Sequence, residues 1–310
     1  MGQQLSLYSQ WFPPTSRFSV DDIPDLTSRV MIVTGGNTGI GKETVRALLA
    51  HNATVYLAAR SQDRAEAAID ELETDTGKRA IFLELDLAEK ASIRRAAKEF
   101  LSKEKELHVL FNNGGVMWPP KDQLTKDDYD LQWGVNMVAP FLLTKLLMPA
   151  LIAGIRSSYD GKARVVTTSS MGAYFDVIHW NTFRPGPDRD KLSIESLYYQ
   201  SKHAVVIFAR ELARRYGHLG IIATSCNPGN LDTELLRHTS PIVRFLTRPL
   251  LYPVSYGALT QLWAGTSDET VDYNGKFLIP WARLGECRPE TRDPEIGVRL
   301  WEWLEGETSD

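Results

Sequence analysis

From residue 30 onward, short β-branched or apolar runs alternate with longer stretches of helical periodicity. Val30–Thr34 (VMIVT), Thr54–Ala59 (TVYLAA), Ala80–Leu85 (AIFLEL), His108–Asn112 (HVLFN), Arg164–Thr168 (RVVTT) and Ile221–Cys226 (IIATSC) read as strands buried on both faces. Helical patterns lie at Gly41–His51, Gln62–Thr74, Ser92–Lys103, Asp127–Ala153 and Ile194–Tyr216. This alternation predicts an α/β fold, a doubly wound parallel sheet with right-handed crossovers. Residues 1–25 read as an N-terminal extension and 26–310 as one domain. Ligands of such sheets bind beyond the carboxyl ends of the strands, so the unusual residues should follow the strands.

They do. The first strand leads into Thr34-Gly35-Gly36-Asn37-Thr38-Gly39-Ile40-Gly41. Glycines there allow a tight turn and close approach of backbone to a pyrophosphate, and the next helix offers unpaired N–H groups and the positive end of its dipole. The expectation is a dinucleotide-binding (Rossmann) domain with a catalytic role, although the spacing Gly35-x3-Gly39-x-Gly41 is not the general GxGxxG. The second strand ends Leu57-Ala58-Ala59-Arg60-Ser61, without the acidic residue that holds an unphosphorylated ribose. Arg60, with Ser61 beside it, is suited to clamp a 2′-phosphate, so NADP(H) is the expected cofactor.

With these motifs in view, the sequence resembles the short-chain dehydrogenase/reductase family from about Leu26 to Pro280. Within it, the Asn-Thr-Gly-Ile-Gly loop is similar to the retinol-dehydrogenase-like and WW-domain oxidoreductase-like NADP branch. The resemblance implies cofactor contacts from Gly35, Asn37, Thr38, Gly39, Ile40 and Gly41, from Asp86 and Leu87 after the third strand, and from Asn113 and Gly114 after the fourth. The family's alanine falls on Gly114, which predicts a slightly looser turn. Further contacts are implied for Pro228, Gly229, Leu231 and Thr233, and for Tyr198 and Lys202. The implied catalytic set is Asn136, Ser170, Tyr198 and Lys202, with Asn136 anchoring a water that leads protons to Lys202. Tyr199 cannot replace Tyr198, because the residue four positions on is His203.

Carbonyl reduction needs a proton donor in hydrogen-bond reach of the substrate oxygen. A free phenol ionises near pH 10, and a positive charge at i+4 on the same helical face is expected to lower that value; Tyr198 and Lys202 have this spacing. A lone Tyr-x3-Lys is ordinary surface decoration, and a Ser-Ser at a strand end is an ordinary cap. Their order after the phosphate loop gives them weight.

The segments 171–193 and 229–253 are expected to be substrate loops. In the first, Tyr174, Phe175, Trp180 and Phe183 are expected to wall an apolar pocket together with Trp118-Pro119-Pro120; in the second, Leu235, Leu236, Phe245 and Leu250 suggest a lid. His179 and His238 are candidates for polar contacts with substrate. The expected substrate is a small hydrophobic aldehyde, ketone or alcohol, handled chiefly as a reductase. A non-catalytic NADP-binding regulatory protein of the same fold is the alternative, and dehydration or epimerisation on the same frame is a third reading.

Composition narrows the rest. The chain is 43% apolar and 24% charged with a net charge of −4 and no basic stripe, which argues against a nucleic-acid partner. Its two cysteines, Cys226 and Cys287, stand apart from each other and from histidine clusters, so no metal is expected. With no signal-like apolar segment at the start, the expected location is cytoplasmic. The apolar stretch Val138–Gly154 contains Thr144 and Lys145 and reads as a buried helix, so membrane association is not expected. Met1-Gly2-Gln3-Gln4-Leu5-Ser6 fits the N-myristoylation pattern, which would add only a weak anchor. Family members often form homodimers through the helices at 127–153 and 194–216.

Overall fold

The computed structural model describes residues 2–231 and 251–309. Strands β1 (Val30–Thr34), β2 (Thr54–Ala59), β3 (Ile81–Glu84), β4 (Val109–Asn112), β5 (Ala163–Thr168), β6 (Ile221–Cys226), β7 (Phe277–Ile279) and β8 (Arg283–Gly285) form one sheet in the order β3-β2-β1-β4-β5-β6-β7-β8. All neighbours are parallel except β7 and β8, which form an antiparallel hairpin at one edge. The order reverses direction between β1 and β4, the switch point where this topology opens a crevice.

Helices α1 (Gly2–Trp11), α2 (Gly39–Ala50), α3 (Gln62–Thr76) and α4 (Lys90–Lys103) precede the long α5 (Leu131–Ser157). The short α6 (Pro187–Lys191), α7 (Ile194–Tyr216), α8 (Val254–Thr266) and α9 (Pro294–Thr308) complete the set among the described residues. Strand residues alternate between two cores, as a sheet buried on both faces requires. Ile32, Tyr56 and Ala58 face α4, α5 and α7, whereas Met31, Val33, Val55 and Leu57 face α2, α3 and α8. The extension is built into the second core, which buries Phe18 and Ile23.

The six expected strands are present, and the differences lie elsewhere. α5 starts at Leu131 rather than 127 because Asp130 caps it, its Oδ1 accepting from the N–H groups of Gln132 and Trp133 at 3.0 Å each. It is long and apolar enough to cross a membrane by length and composition, yet 67% of its apolar window is buried inside the protein. α9 crosses α5 and α7, placing Trp301 edge-on to Phe141 at 5.0 Å and beside Phe208. The helix α9 thus covers part of α5 and α7, the two helices on which the resemblance allowed a homodimer.

The 171–193 connection is an ordered, anchored segment. Buried Arg189 pairs with buried Asp130 (2.9 Å), stapling it to the start of α5. Phe183 stacks on Trp133 at 3.7 Å and meets Trp303 of α9, and Trp180 packs against Phe183. Phe183 therefore belongs to the core, with half-buried Trp180 packed on it, and the expectation that Phe183 walls a pocket is corrected. The Phe183 ring lies between Trp133 and Trp303 of α9, apolar partners that an open cleft would not offer.

Candidate active site

The phosphate loop is built by strand, turn and helix. Gly35 (φ +65°) and Gly39 (φ +54°) hold left-handed conformations that side chains disfavour. A Cβ on Gly41 would lie 2.2 Å from the Gly35 carbonyl oxygen, so only glycine lets α2 start this close to the turn. Thr38 occupies the N-cap without using its side chain as a cap, and the first turn of α2 holds no acidic residue. Open N–H groups at a helix start with no competing carboxylate suit an anion. Asn37 and Ile40 lie half-buried along the same loop. Arg60 is exposed just beyond β2, and Ser61 caps α3 through the Arg64 N–H.

After β3, one carboxylate oxygen of Asp86 accepts from the Ala88 N–H at 2.9 Å, shaping the turn in which Leu87 lies. After β4, Asn113 donates to the Thr34 carbonyl (2.9 Å) and the Gly114 N–H donates to the Thr34 hydroxyl (2.8 Å). The space beside Gly114 is not left empty. A Cβ there would come within 2.8 Å of Leu87 Cδ1, so the space of the family's methyl group is already taken by a leucine.

Ser170, Tyr198 and Lys202 converge beyond the carboxyl ends of β5 and β6. Tyr198 and Lys202 are only 4% and 5% exposed, which removes them from the class of decorative helix-surface pairs. The Ser170 hydroxyl accepts from the Gly172 N–H at 3.0 Å and acts on the Tyr198 phenol in the direction that lowers its pKa. The Lys202 ammonium lies 5.9 Å from the centroid of the Tyr198 ring and donates to the Thr168 carbonyl at 2.9 Å. Burial dominates the electrostatics, pushing the Tyr198 phenol up to about 12 and the Lys202 ammonium down to about 8. The expected lowering of the phenol by the neighbouring lysine is not what sets it: burial raises it, Ser170 lowers it, the Tyr199 phenol raises it, and the Lys202 ammonium is turned toward a backbone carbonyl. Tyr198 is a neutral phenol at physiological pH, in the form that gives a proton.

Asn136 lies in a π-turn at Gly134–Val138 inside α5, a local widening frequent at functional sites. Its amide bonds both the N–H (2.9 Å) and the carbonyl (3.0 Å) of Val116 and donates to the Ser201 hydroxyl (3.0 Å). Both of its donors are thus used within the protein, and a water could meet only the remaining acceptor capacity of its oxygen. Trp118 does face the site, edge-on to Tyr198 at 6.5 Å. Phe175 is exposed and packs on Tyr199, whereas Tyr174 is buried against Phe277. His179 pairs with Asp176 at 2.8 Å and is not a free substrate contact.

Pro228 and Gly229 (φ +90°) form the turn after β6, and Leu231 bridges to Tyr252, pinning together the two ends of the expected lid. Thr233, Leu235, Leu236, His238, Phe245 and Leu250 lie outside the described residues. Sequence reasoning missed Gln261, which is fully buried on α8. It accepts from the Thr168 hydroxyl at 2.9 Å and donates to Thr44, tying the strand end beside Lys202 to the phosphate-loop helix. An amide alone among the apolar residues of α8 was the available signal.

A family model described as short chain dehydrogenase matches residues 29–184. A short-chain dehydrogenase/reductase from Armillaria gallica is 56% identical over 310 residues, 100% of both chains. The chain belongs to the short-chain dehydrogenase/reductase family. Retinol dehydrogenase 11 of Mus musculus is 36% identical over 281 residues, covering 89% of this chain and 85% of that protein. The solved structure of a short chain dehydrogenase from Burkholderia cenocepacia J2315 in complex with NADP is 26% identical, with a TM-score of 0.65 and coverage of 84% of this chain and 98% of that one. Family membership makes the chain an oxidoreductase and accounts for the sheet order.

Proposed function

We propose that this short-chain dehydrogenase/reductase is NADP(H)-dependent, interconverts a hydrophobic aldehyde or ketone and its alcohol, and works chiefly as a reductase in the cytoplasm. The observation that carries the reading is the burial of Tyr198 and Lys202 together beside Ser170, with the Lys202 ammonium 5.9 Å from the Tyr198 ring. The coenzyme, when bound, supplies the hydride. The chain's residues manage the proton. Ser170 holds the substrate oxygen by donating to it, and Tyr198 gives that oxygen its proton as negative charge develops there. Lys202 holds a positive charge 5.9 Å from the Tyr198 ring, where it favours the negative charge that develops as the proton leaves for the substrate. Trp118, edge-on to Tyr198, gives the site an apolar side, which favours substrates poor in polar groups.

The phosphate loop would hold the pyrophosphate and Arg60 the 2′-phosphate, while Asp86, Leu87, Asn113 and Gly114 shape the adenosine side. The test is turnover of NADPH with a panel of apolar aldehydes and ketones. Tyr198→Phe should reduce kcat by about 10²–10⁴-fold with coenzyme affinity kept. Turnover undiminished in that variant would overturn the reading.

A further inference from the structure

The extension ahead of the first strand reaches the catalytic end of the sheet. Gln10, in the last turn of α1, is 1% exposed and bonds to two turns far away in sequence. Its Nε2 donates to the Tyr174 hydroxyl at 3.0 Å, and its Oε1 accepts from Asn227 Nδ2 at 2.9 Å. Tyr174 ends the turn that begins at Ser170, and its hydroxyl donates in turn to the Glu286 carbonyl. Asn227 is the first residue beyond β6, and its Oδ1 accepts from the Gly229 N–H at 3.1 Å. β5 and β6 are adjacent in the sheet, so one amide spans the two turns that leave their carboxyl ends. α1 is held there by a hydrogen bond from Arg283 to the Ser9 carbonyl (2.8 Å) and by Leu7 packing on the cluster of Met171, Tyr174, Phe277 and Ile279.

We propose that Gln10 is a positioning residue: it sets the distance between the Ser170 turn and the Asn227–Gly229 turn, and α1 is the strap that carries it. The inference rests on the reductase reading, in which the first turn holds the substrate oxygen and the second meets the nicotinamide end. A buried amide with both ends bonded is suited to this, because its geometry is fixed and leaving either partner unbonded is unfavourable.

Gln10→Met keeps side-chain volume and removes both hydrogen bonds, and Tyr174→Phe removes one of them if the first variant fails to fold. In the coenzyme-free protein, amide hydrogen exchange should quicken in residues 171–175 and 227–231 of Gln10→Met and stay unchanged in the loop 35–41. At saturating NADPH, kcat should fall roughly tenfold, the scale expected when a catalytic group is displaced by a fraction of an ångström. Affinity for 2′,5′-ADP, which reads only the adenosine end, should not change. Folded Gln10→Met with wild-type exchange and wild-type kcat would overturn the proposal, as would a loss of activity matching only a loss of folded protein. Tyr198→Phe run alongside separates the failures: full turnover in that variant sinks the reductase reading but leaves the exchange result standing.

Discussion

Replacing Lys202 by methionine should make the protein more stable while ending its activity. Burial drives this ammonium from 10.5 down to about 8. At neutral pH the folded protein therefore carries the charge at a cost of about 3 kcal/mol relative to the unfolded chain. The hydrogen bond to the Thr168 carbonyl offsets roughly 1 kcal/mol of that. An unbranched apolar side chain of similar length then gains about 2 kcal/mol, or about 4 °C in Tm for a domain of this size. The unfolded chain binds more protons than the folded one between about pH 8 and 10.5, so the wild-type penalty fades as pH rises through that window. The advantage of Lys202→Met should be constant below about pH 8 and shrink by roughly 2 kcal/mol by pH 9.5. Burial raises the thiols of Cys226 and Cys287 in both proteins, so only the difference between them is informative. Urea denaturation of the two coenzyme-free proteins at pH 7 and 9.5 measures it. A variant less stable than wild type at pH 7, or an advantage equal at both pH values, would refute the reasoning.

Arg60→Ala should weaken NADPH binding by about ten- to a hundredfold while NADH binding stays put, read by fluorescence titration; equal losses for both would discard the 2′-phosphate contact. Gly41→Ala should abolish coenzyme binding in protein that still folds, because its methyl group meets the Gly35 carbonyl 2.2 Å away; calorimetry showing wild-type affinity would contradict the close approach. Arg189→Leu strands the Asp130 carboxylate in the interior and should cost about 3–5 kcal/mol in urea denaturation, with a loss under about 1 kcal/mol counting against the staple.

The fold was legible because β1, β2, β4, β5 and β6 are β-branched or apolar runs that no amphipathic helix would carry. The edge hairpin was not, since β7 and β8 have three residues each and their alternation is too short to register. The catalytic positions were legible as motifs, but their environment was not. Tyr198 and Lys202 are four apart in any helix; that burial raises one and lowers the other depends on α7 lying against β5 and β6. Likewise Phe183 was rightly read as unusual in a loop and wrongly given to a pocket. Sequence distance hides that α9, more than a hundred residues later, supplies Trp303, a ring it packs on.

The polar core of this site is expensive, and its supports lie outside the motifs. A half-satisfied buried network is worse than an apolar core, so each polar group needs a partner held in place. Asn136 has Val116 and Ser201, Thr168 has Gln261, and Asn227 has Gln10. Two of these supports are glutamine side chains from helices far apart in the chain, each fully buried and each joining two separate segments. Glutamine fits that task because its amide offers a donor and an acceptor on a side chain long enough to reach across a crevice. The catalytic set is therefore a local pattern whose geometry is fixed from a distance, and substitutions at Gln10 or Gln261 should alter turnover before they alter the fold.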